Sequence, residues 1–218
     1  MAAMTTALDA LDRLRRGNAR FVCESQRVGE LATGDRRLAL TDGQQPSAII
    51  LGCSDSRVPA EIVFDQGLGD LFVIRVAGNI VAPSQVGSVE FAAEQFGTRL
   101  VVVLGHSRCG AVQATIEQLT RSAENRSPNL RSIVDRIRPT VEPLLEAGGA
   151  RNSDDLVRRA VRANIRASAN HLRNGSQILE SLIRNDGLVV VGAEYALETG
   201  RVEFFDGVPD IENGDWSV

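Results

Sequence analysis

Ala48-Ile49-Ile50-Leu51-Gly52-Cys53-Ser54-Asp55-Ser56-Arg57 is an apolar run that ends in a cysteine and a charged pair. Leu100-Val101-Val102-Val103-Leu104-Gly105-His106-Ser107-Arg108-Cys109 has the same form, closed by a histidine and a second cysteine. Short continuous apolar runs bounded by turn residues read as strands buried on both faces, which are the strands of a parallel sheet. In an open parallel sheet, ligands bind beyond the carboxyl ends of the strands, near the point where the strand order reverses. Cys53 and His106 both fall at such ends. Two thiolates and one imidazole leave a fourth position open, the pattern of a catalytic zinc site; a structural site would be closed. His106 and Cys109, three apart at a strand-to-helix turn, converge on one ion, and the helix N-terminus favours a thiolate at Cys109.

Outward from these two runs, residues 71–76, 188–191 and 201–205 read as further strands. Between them, 85–96 carries Val86, Val89, Phe91 and Phe96 with Gly97 behind, an amphipathic helix with a glycine cap, and 109–119 reads as a helix that starts just after His106. Strand and helix alternate, the grammar of an α/β fold with a mainly parallel central sheet, right-handed crossovers and flanking helices. At the N-terminus, 5–22 reads as a helix or a pair of helices, 24–35 as a polar loop and 36–40 as a short helix. Residues 59–64 form a helical turn with Pro59 at its first position. Residues 124–152 give a polar loop, a helix over 130–137 and a second piece broken by Pro139 and Pro143. A long helix over 154–185 is capped by Ser153-Asp154 and kinked or split at Gly175.

A chain of 218 residues is long enough for one sizeable domain, taken here as 1–218. The charge balance of 24 basic against 28 acidic residues, with no basic run, argues against a nucleic-acid surface. No stretch approaches the ~20 apolar residues of a membrane span, and the N-terminus lacks a basic segment followed by an apolar core. Cys23, Cys53 and Cys109 are odd in number, so a complete disulfide framework is impossible and a reducing compartment, the cytoplasm, is expected. Every basic residue is arginine. Without lysine there is no Schiff base and no ordinary phosphate-binding P-loop. A dinucleotide site would need a glycine-rich G-x-G-x-x-G turn after the first strand, which is missing. His106 and His171 are the two histidines, so a metal site must recruit cysteine or carboxylate. His171, in the middle of an arginine-rich helix, reads as a surface residue, and Cys23, without a partner motif, as a structural thiol.

Asp55 stands two residues from the Cys53 ligand and can accept a hydrogen bond from a metal-bound hydroxide, orienting its lone pair. Arg57, two further on, can hold Asp55 ionised and keep it off the metal.

Cys53-x-Asp55-x-Arg57 with His106-x-x-Cys109-Gly110 resembles the β-class carbonic anhydrases, and the likeness runs from Gly17-Asn18-x-Arg20-Phe21 to Gly192-x-x-Tyr195. It implies Zn2+ held by Cys53, His106 and Cys109, with Asp55 and Arg57 as the catalytic pair. The reaction implied is the reversible hydration of carbon dioxide to bicarbonate and a proton, by attack of zinc-bound hydroxide. The resemblance further implies an N-terminal helical arm over 1–40 that embraces a neighbour, in a homodimer or homotetramer. By position, Gln44 is similar to the glutamine that hydrogen-bonds substrate, Phe72 to the aromatic wall, Ala77 to a small apolar pocket position and the Gly110 N–H to a donor to substrate oxygen. Phe91 falls where plant-like members carry a tyrosine, which keeps the wall and removes the hydroxyl. Arg75 and Tyr195 match two residues of a noncatalytic bicarbonate site, with Ile50 in place of its tryptophan. A state in which Asp55 swings onto the metal at low pH is also implied. Two rival functions share the ligands: hydrolysis of carbonyl sulfide or carbon disulfide, and a zinc-binding module without catalysis. Val58-Pro59-Ala60-Glu61 after the first motif favours carbon dioxide, and the intact Asp55 and Arg57 speak against a module.

Overall fold

The structure, a computed structural model, describes residues 5–120, 127–147 and 154–209. The apolar runs form a sheet of β1 (Ala48–Gly52), β2 (Leu71–Arg75), β3 (Leu100–His106), β4 (Val189–Tyr195) and β5 (Val202–Asp206), in the order β2-β1-β3-β4-β5. The first four are parallel and β5 runs antiparallel to β4. Every residue of β1 and β3 is buried, because helices cover both faces, which is why neither strand shows polar alternation. Ile49, Leu51, Val101 and Val103 face a core with Val112, Ile137, Ile165 and Leu172. Ile50, Val102 and Leu104 face the other way, onto Leu11, Leu14 and Phe64.

From β1 the chain moves to β2 on one side and then to β3 on the other, so the strand order reverses at β1 and β3. Their carboxyl ends, at Cys53 and His106, lie side by side in register, Gly52 opposite Leu104. The second apolar run stays in the sheet to its end, and His106 is itself the last residue of β3.

The N-terminal segment is one helix, α1 (Ala7–Val22), started by Thr6, whose Oγ1 accepts the Asp9 N–H at 3.1 Å. Its Leu11 and Leu14 are buried against its own chain's sheet, so this part of the expected arm is docked at home. Asp65, fully buried, reinforces the docking with an ion pair to Arg20 at 2.5 Å and a bond from the Arg27 N–H at 2.7 Å. The polar stretch that follows holds α2 (Val28–Leu31) and α3 (Gly34–Ala39), where a loop and a helix over 36–40 were expected. The turn after Pro59 is α4 (Ala60–Val63). A 3₁₀ turn, Ala77–Asn79, follows β2 and leads into α5 (Pro83–Gln95), and α6 (Gly110–Thr120) follows β3.

One expectation is corrected. The prolines do not break α7 (Pro128–Glu146), which runs through Pro139 and Pro143. Both prolines stand on its exposed side, where carbonyls freed by the missing N–H groups meet water, while Val134, Ile137 and Val141 bury the opposite side. The long helix over 154–185 is split at Gly175, as its sequence allows, into α8 (Asp154–Asn174) and α9 (Gln177–Asn185). Ser176 separates them in extended conformation, and its hydroxyl accepts the Leu179 N–H at 3.2 Å, so α9 has its own cap. The Ser153 half of the cap expected for α8 lies outside the described residues. No helix among the described residues is long and apolar enough to cross a membrane.

Candidate metal centre

Cys53 leaves β1 where the sheet ends. His106 closes β3, Ser107 and Arg108 turn the chain, and Cys109 stands immediately before α6. Arg108 adopts φ 55°, a left-handed turn residue that lets three positions of sequence bring His106 and Cys109 to one point. One ligand atom from each of Cys53, His106 and Cys109 lies within 4.8 Å of the others, and all three residues are buried. The His106 Nδ1 faces the Ser107 carbonyl at 2.9 Å. A carbonyl only accepts, so Nδ1 carries the proton and Nε2 keeps its lone pair. That Nε2 is buried with no hydrogen-bond partner.

Backbone N–H groups surround both sulfurs. Those of Gly78, at 3.3 Å, and Asp55 point at Cys53, and those of Ala111 and Val112, in the first turn of α6, point at Cys109. Cys53 is drawn down to about 4, first by the hydrogen bond from Cys109, against burial, with help from His106 and these amides. The same bond pushes Cys109 up, with burial adding to it. The protein alone therefore holds one thiolate and one thiol here; a dication would release the second proton, since a coordinating thiol is deprotonated outright. Burial disfavours the charged form of His106, but the Cys53 thiolate, the Ser107 carbonyl and the Asp55 carboxylate together outweigh it and raise the imidazole.

Asp55 stands beside this cluster, its Oδ2 3.8 Å from Nε2 of His106. Arg57 grips it three times: Nε donates to Oδ1 at 2.9 Å, Nη2 to Oδ2 at 2.8 Å and the backbone N–H to Oδ1 at 3.0 Å. The guanidinium holds the Asp55 carboxyl well below the usual carboxylate range.

An orphaned imidazole nitrogen aimed at two sulfurs lined with amide donors is the donor set of zinc, two soft ligands and one borderline. A sequence profile of the carbonic anhydrase family matches residues 48–202, and the carbonic anhydrase of Mycolicibacterium smegmatis is 38% identical over 198 residues, 91% of this chain and 93% of its own. The chain belongs to the carbonic anhydrase family. Its fold is that of the β class: the β-carbonic anhydrase CafA of Aspergillus fumigatus superimposes with a TM-score of 0.70 at 25% identity, over 92% of this chain and 91% of that one. Tetrameric β-carbonic anhydrases of Sordaria macrospora superimpose at 0.69 and 25%, over 77% and 84%. Its activity is that of the family, reversible hydration of carbon dioxide at a zinc site matched by Cys53, His106 and Cys109.

The structure brings Ala77 and Gly110 to the family's zinc cluster as chain neighbours of Gly78 and Cys109. It does not bring Gln44, Phe72 or Phe91 there within one chain. Gln44 precedes β1, at the amino end of a strand whose carboxyl end carries Cys53, about 16 Å of strand away. It lies in a surface groove with Leu40, Leu68 and Phe96. Phe72 pairs in register with Ile49, and its ring packs with Phe91 and Phe96 at centroid separations of 6.2 and 6.0 Å. Phe91 is half exposed. His171 is exposed on α8, and Cys23 is exposed at the end of α1.

Arg75, at the end of β2, ties its strand to the first motif and holds that motif in place. Arg75 donates from Nε to the Cys53 carbonyl at 3.1 Å and from Nη2 to the Asp55 carbonyl at 2.7 Å, clamping the turn between ligand and carboxylate. Its guanidinium is thus engaged by backbone, while Ile50 is wholly buried in the core. On the other motif, Ser107 Oγ accepts the Leu197 N–H and donates to Glu198, which also pairs with Arg108. The signal for Arg75 was its place at the end of the strand next to β1.

Because both core layers extend well beyond the ligand cluster, with Cys53 and Cys109 at the edge of a set of more than twenty buried residues in one of them, removing zinc is expected to leave the protein folded. Zinc at a thousandfold excess over its dissociation constant adds about 4 kcal/mol by linkage, so chelation should lower Tm by about 10 °C. Differential scanning calorimetry with and without chelator reads this directly; an unfolded metal-free protein at 25 °C would contradict it.

Proposed function

We propose that Asp55 and Arg57 are the catalytic pair of this carbonic anhydrase and that subunits of a homo-oligomer complete one another's substrate pocket. The observation that carries the first half is the Asp55 carboxylate, gripped by Arg57, 3.8 Å from the unpartnered nitrogen of His106. Cys53, His106 and Cys109 would hold zinc. When bound there, zinc supplies a Lewis acid that makes a water acidic near neutral pH. Asp55, ionised and fixed, accepts an O–H at the open side of the cluster and so orients the oxygen that carries it. Arg57 fixes the rotamer of Asp55 and keeps the carboxylate from swinging toward the ligands. Gly110, the first residue of α6, has a free helix-terminal N–H to offer a substrate oxygen, and Ala77 provides an apolar floor for carbon dioxide.

The second half is supported by the placement of Gln44, Phe72 and Phe91. Across the sheet from their own chain's ligands, they can serve as substrate glutamine and aromatic wall only at a neighbour's cluster. The half-exposed Phe91 and the exposed Leu38 and Leu68 give that face the apolar surface an interface between copies needs. We place the oligomer as a dimer or an assembly of dimers, in a reducing compartment, the cytoplasm, where three free cysteines stay reduced.

Mixing two inactive variants tests the sharing. Gln44→Ala and Cys109→Ala subunits, combined in equal amounts through denaturation and refolding, form mixed dimers in which one site has both residues intact. Statistical pairing then restores about a quarter of wild-type hydration. A mixture as inactive as its components, with mixed dimers shown by native mass spectrometry, would place Gln44 in its own chain's site or outside both.

A further inference from the structure

Asn164 and Ser168 stand four apart in α8, on the face that also carries Val161, Ile165, Ala169 and Leu172 into the core. They are 2% and 6% exposed. Polar side chains in such a face are costly unless they are bonded. Both are bonded to the same turn: Asn164 Nδ2 donates to the Gly78 carbonyl at 2.8 Å, and Ser168 Oγ donates to the Asn79 carbonyl at 3.0 Å.

That turn needs holding. Gly78 and Asn79 are both left-handed, at φ 71° and 42°, and the second is not glycine. Glycine adopts this conformation freely, but at Asn79 it is strained and persists because the surroundings over-determine it. Gly78 is also wedged between two helices, since a Cβ there would sit 2.8 Å from Ile137 Cδ1 and 3.0 Å from Ala111 Cβ. What the turn presents is the Gly78 N–H, donated to the Cys53 sulfur at 3.3 Å. The amides of Asp55, Ala111 and Val112 lie within three residues of the cysteine they serve, so local geometry places them. The Gly78 amide reaches Cys53 from 25 residues along the chain.

We propose that Asn164, assisted by Ser168, is a positioning residue for carbon dioxide hydration: it fixes the Gly78–Asn79 turn so that the Gly78 amide stays on the Cys53 sulfur. A hydrogen bond to a thiolate draws charge from the sulfur and leaves it a weaker donor, so a metal held there is the stronger Lewis acid. The inference rests on the zinc reading of the Cys53, His106 and Cys109 cluster, and wild-type zinc content tests that reading by itself.

The test compares wild type, Asn164→Ala, Ser168→Ala and, as a core-packing control on the same helix, Ile165→Val. Each protein is loaded with zinc for kinetics and with cobalt for spectroscopy. Asn164→Ala should lower kcat about 10-fold with little change in KM. Its sulfur-to-cobalt charge-transfer band should move to longer wavelength, because a sulfur without its amide gives up charge more easily. Ser168→Ala should shift both in the same direction by less, and Ile165→Val should lose Tm and move neither. Should Asn164→Ala not fold, Ser168→Ala carries the same readouts. Variants that fold, bind metal and match wild type in band and kcat overturn the positioning role. A wild type that takes up no zinc overturns the metal reading instead.

Discussion

Cys109→Ala is expected to purify folded and without zinc, and to hydrate carbon dioxide at least about 10³-fold more slowly than wild type. Losing an outer-shell partner of a metal ligand costs ~10–100-fold in affinity or activity, and losing the ligand itself must exceed that. Cys109 is a strong test because its neighbours leave no substitute: the cluster of potential ligands found among the described residues is Cys53, His106 and Cys109, and Asp55 is tied by Arg57 through both oxygens. The core around Cys109 can absorb the change, since alanine removes a single buried sulfur and leaves only a small cavity. Metal analysis and stopped-flow hydration on one sample check the result. A Cys109→Ala protein with one zinc per chain and normal turnover would contradict the ligand assignment.

The second large effect is expected at Asp55 and Arg57, with zinc retained. Asp55→Ala should lower kcat/KM by about 10²–10³-fold, the range for removing one preorganised polar group from a reacting oxygen. Arg57→Ala should cost about 10²-fold, as a misplacement of about 1 Å would. The pH dependence separates two explanations. Asp55 titrates below the ordinary carboxylate range because of Arg57, so it is ionised above that depressed value and protonates only as pH falls through it. Without Arg57 its pKa returns toward ~3.9, still far below neutrality. Loss of ionisation would therefore weaken the enzyme only near pH 4, whereas loss of orientation weakens it equally from pH 6.5 to 9. We expect the latter: a constant deficit across that range. A deficit that vanished as pH rose would assign Arg57 a purely electrostatic part.

The parts of the site that could be read in the sequence are those set by short spacings on strong strands. Val101-Val102-Val103 can do little but enter a buried strand, and two residues from Cys53 to Asp55 or three from His106 to Cys109 leave little freedom at a strand end. What could not be read depends on distant contacts. The Gly78 amide on Cys53, the Arg75 clamp and the Asn164 bond to Gly78 join segments 20 to 86 residues apart, and each needs the folded sheet to exist. Asn164 left one trace, a polar residue within an apolar helical stripe that also holds Ser168. Local rules misjudged α7 because its buried face, packed through Ile137 and Val141, outweighs two prolines on the solvent side. The separation of Gln44 from Cys53 followed from strand direction alone, since a residue before a parallel strand lies at the end away from the ligands.

The most direct test of the central claim is to titrate carbon dioxide hydration against zinc content in a single preparation, from chelated to fully loaded protein. Activity should rise along a line through the origin and saturate at one zinc per chain. Hydration at an undiminished rate in protein stripped of zinc would contradict it.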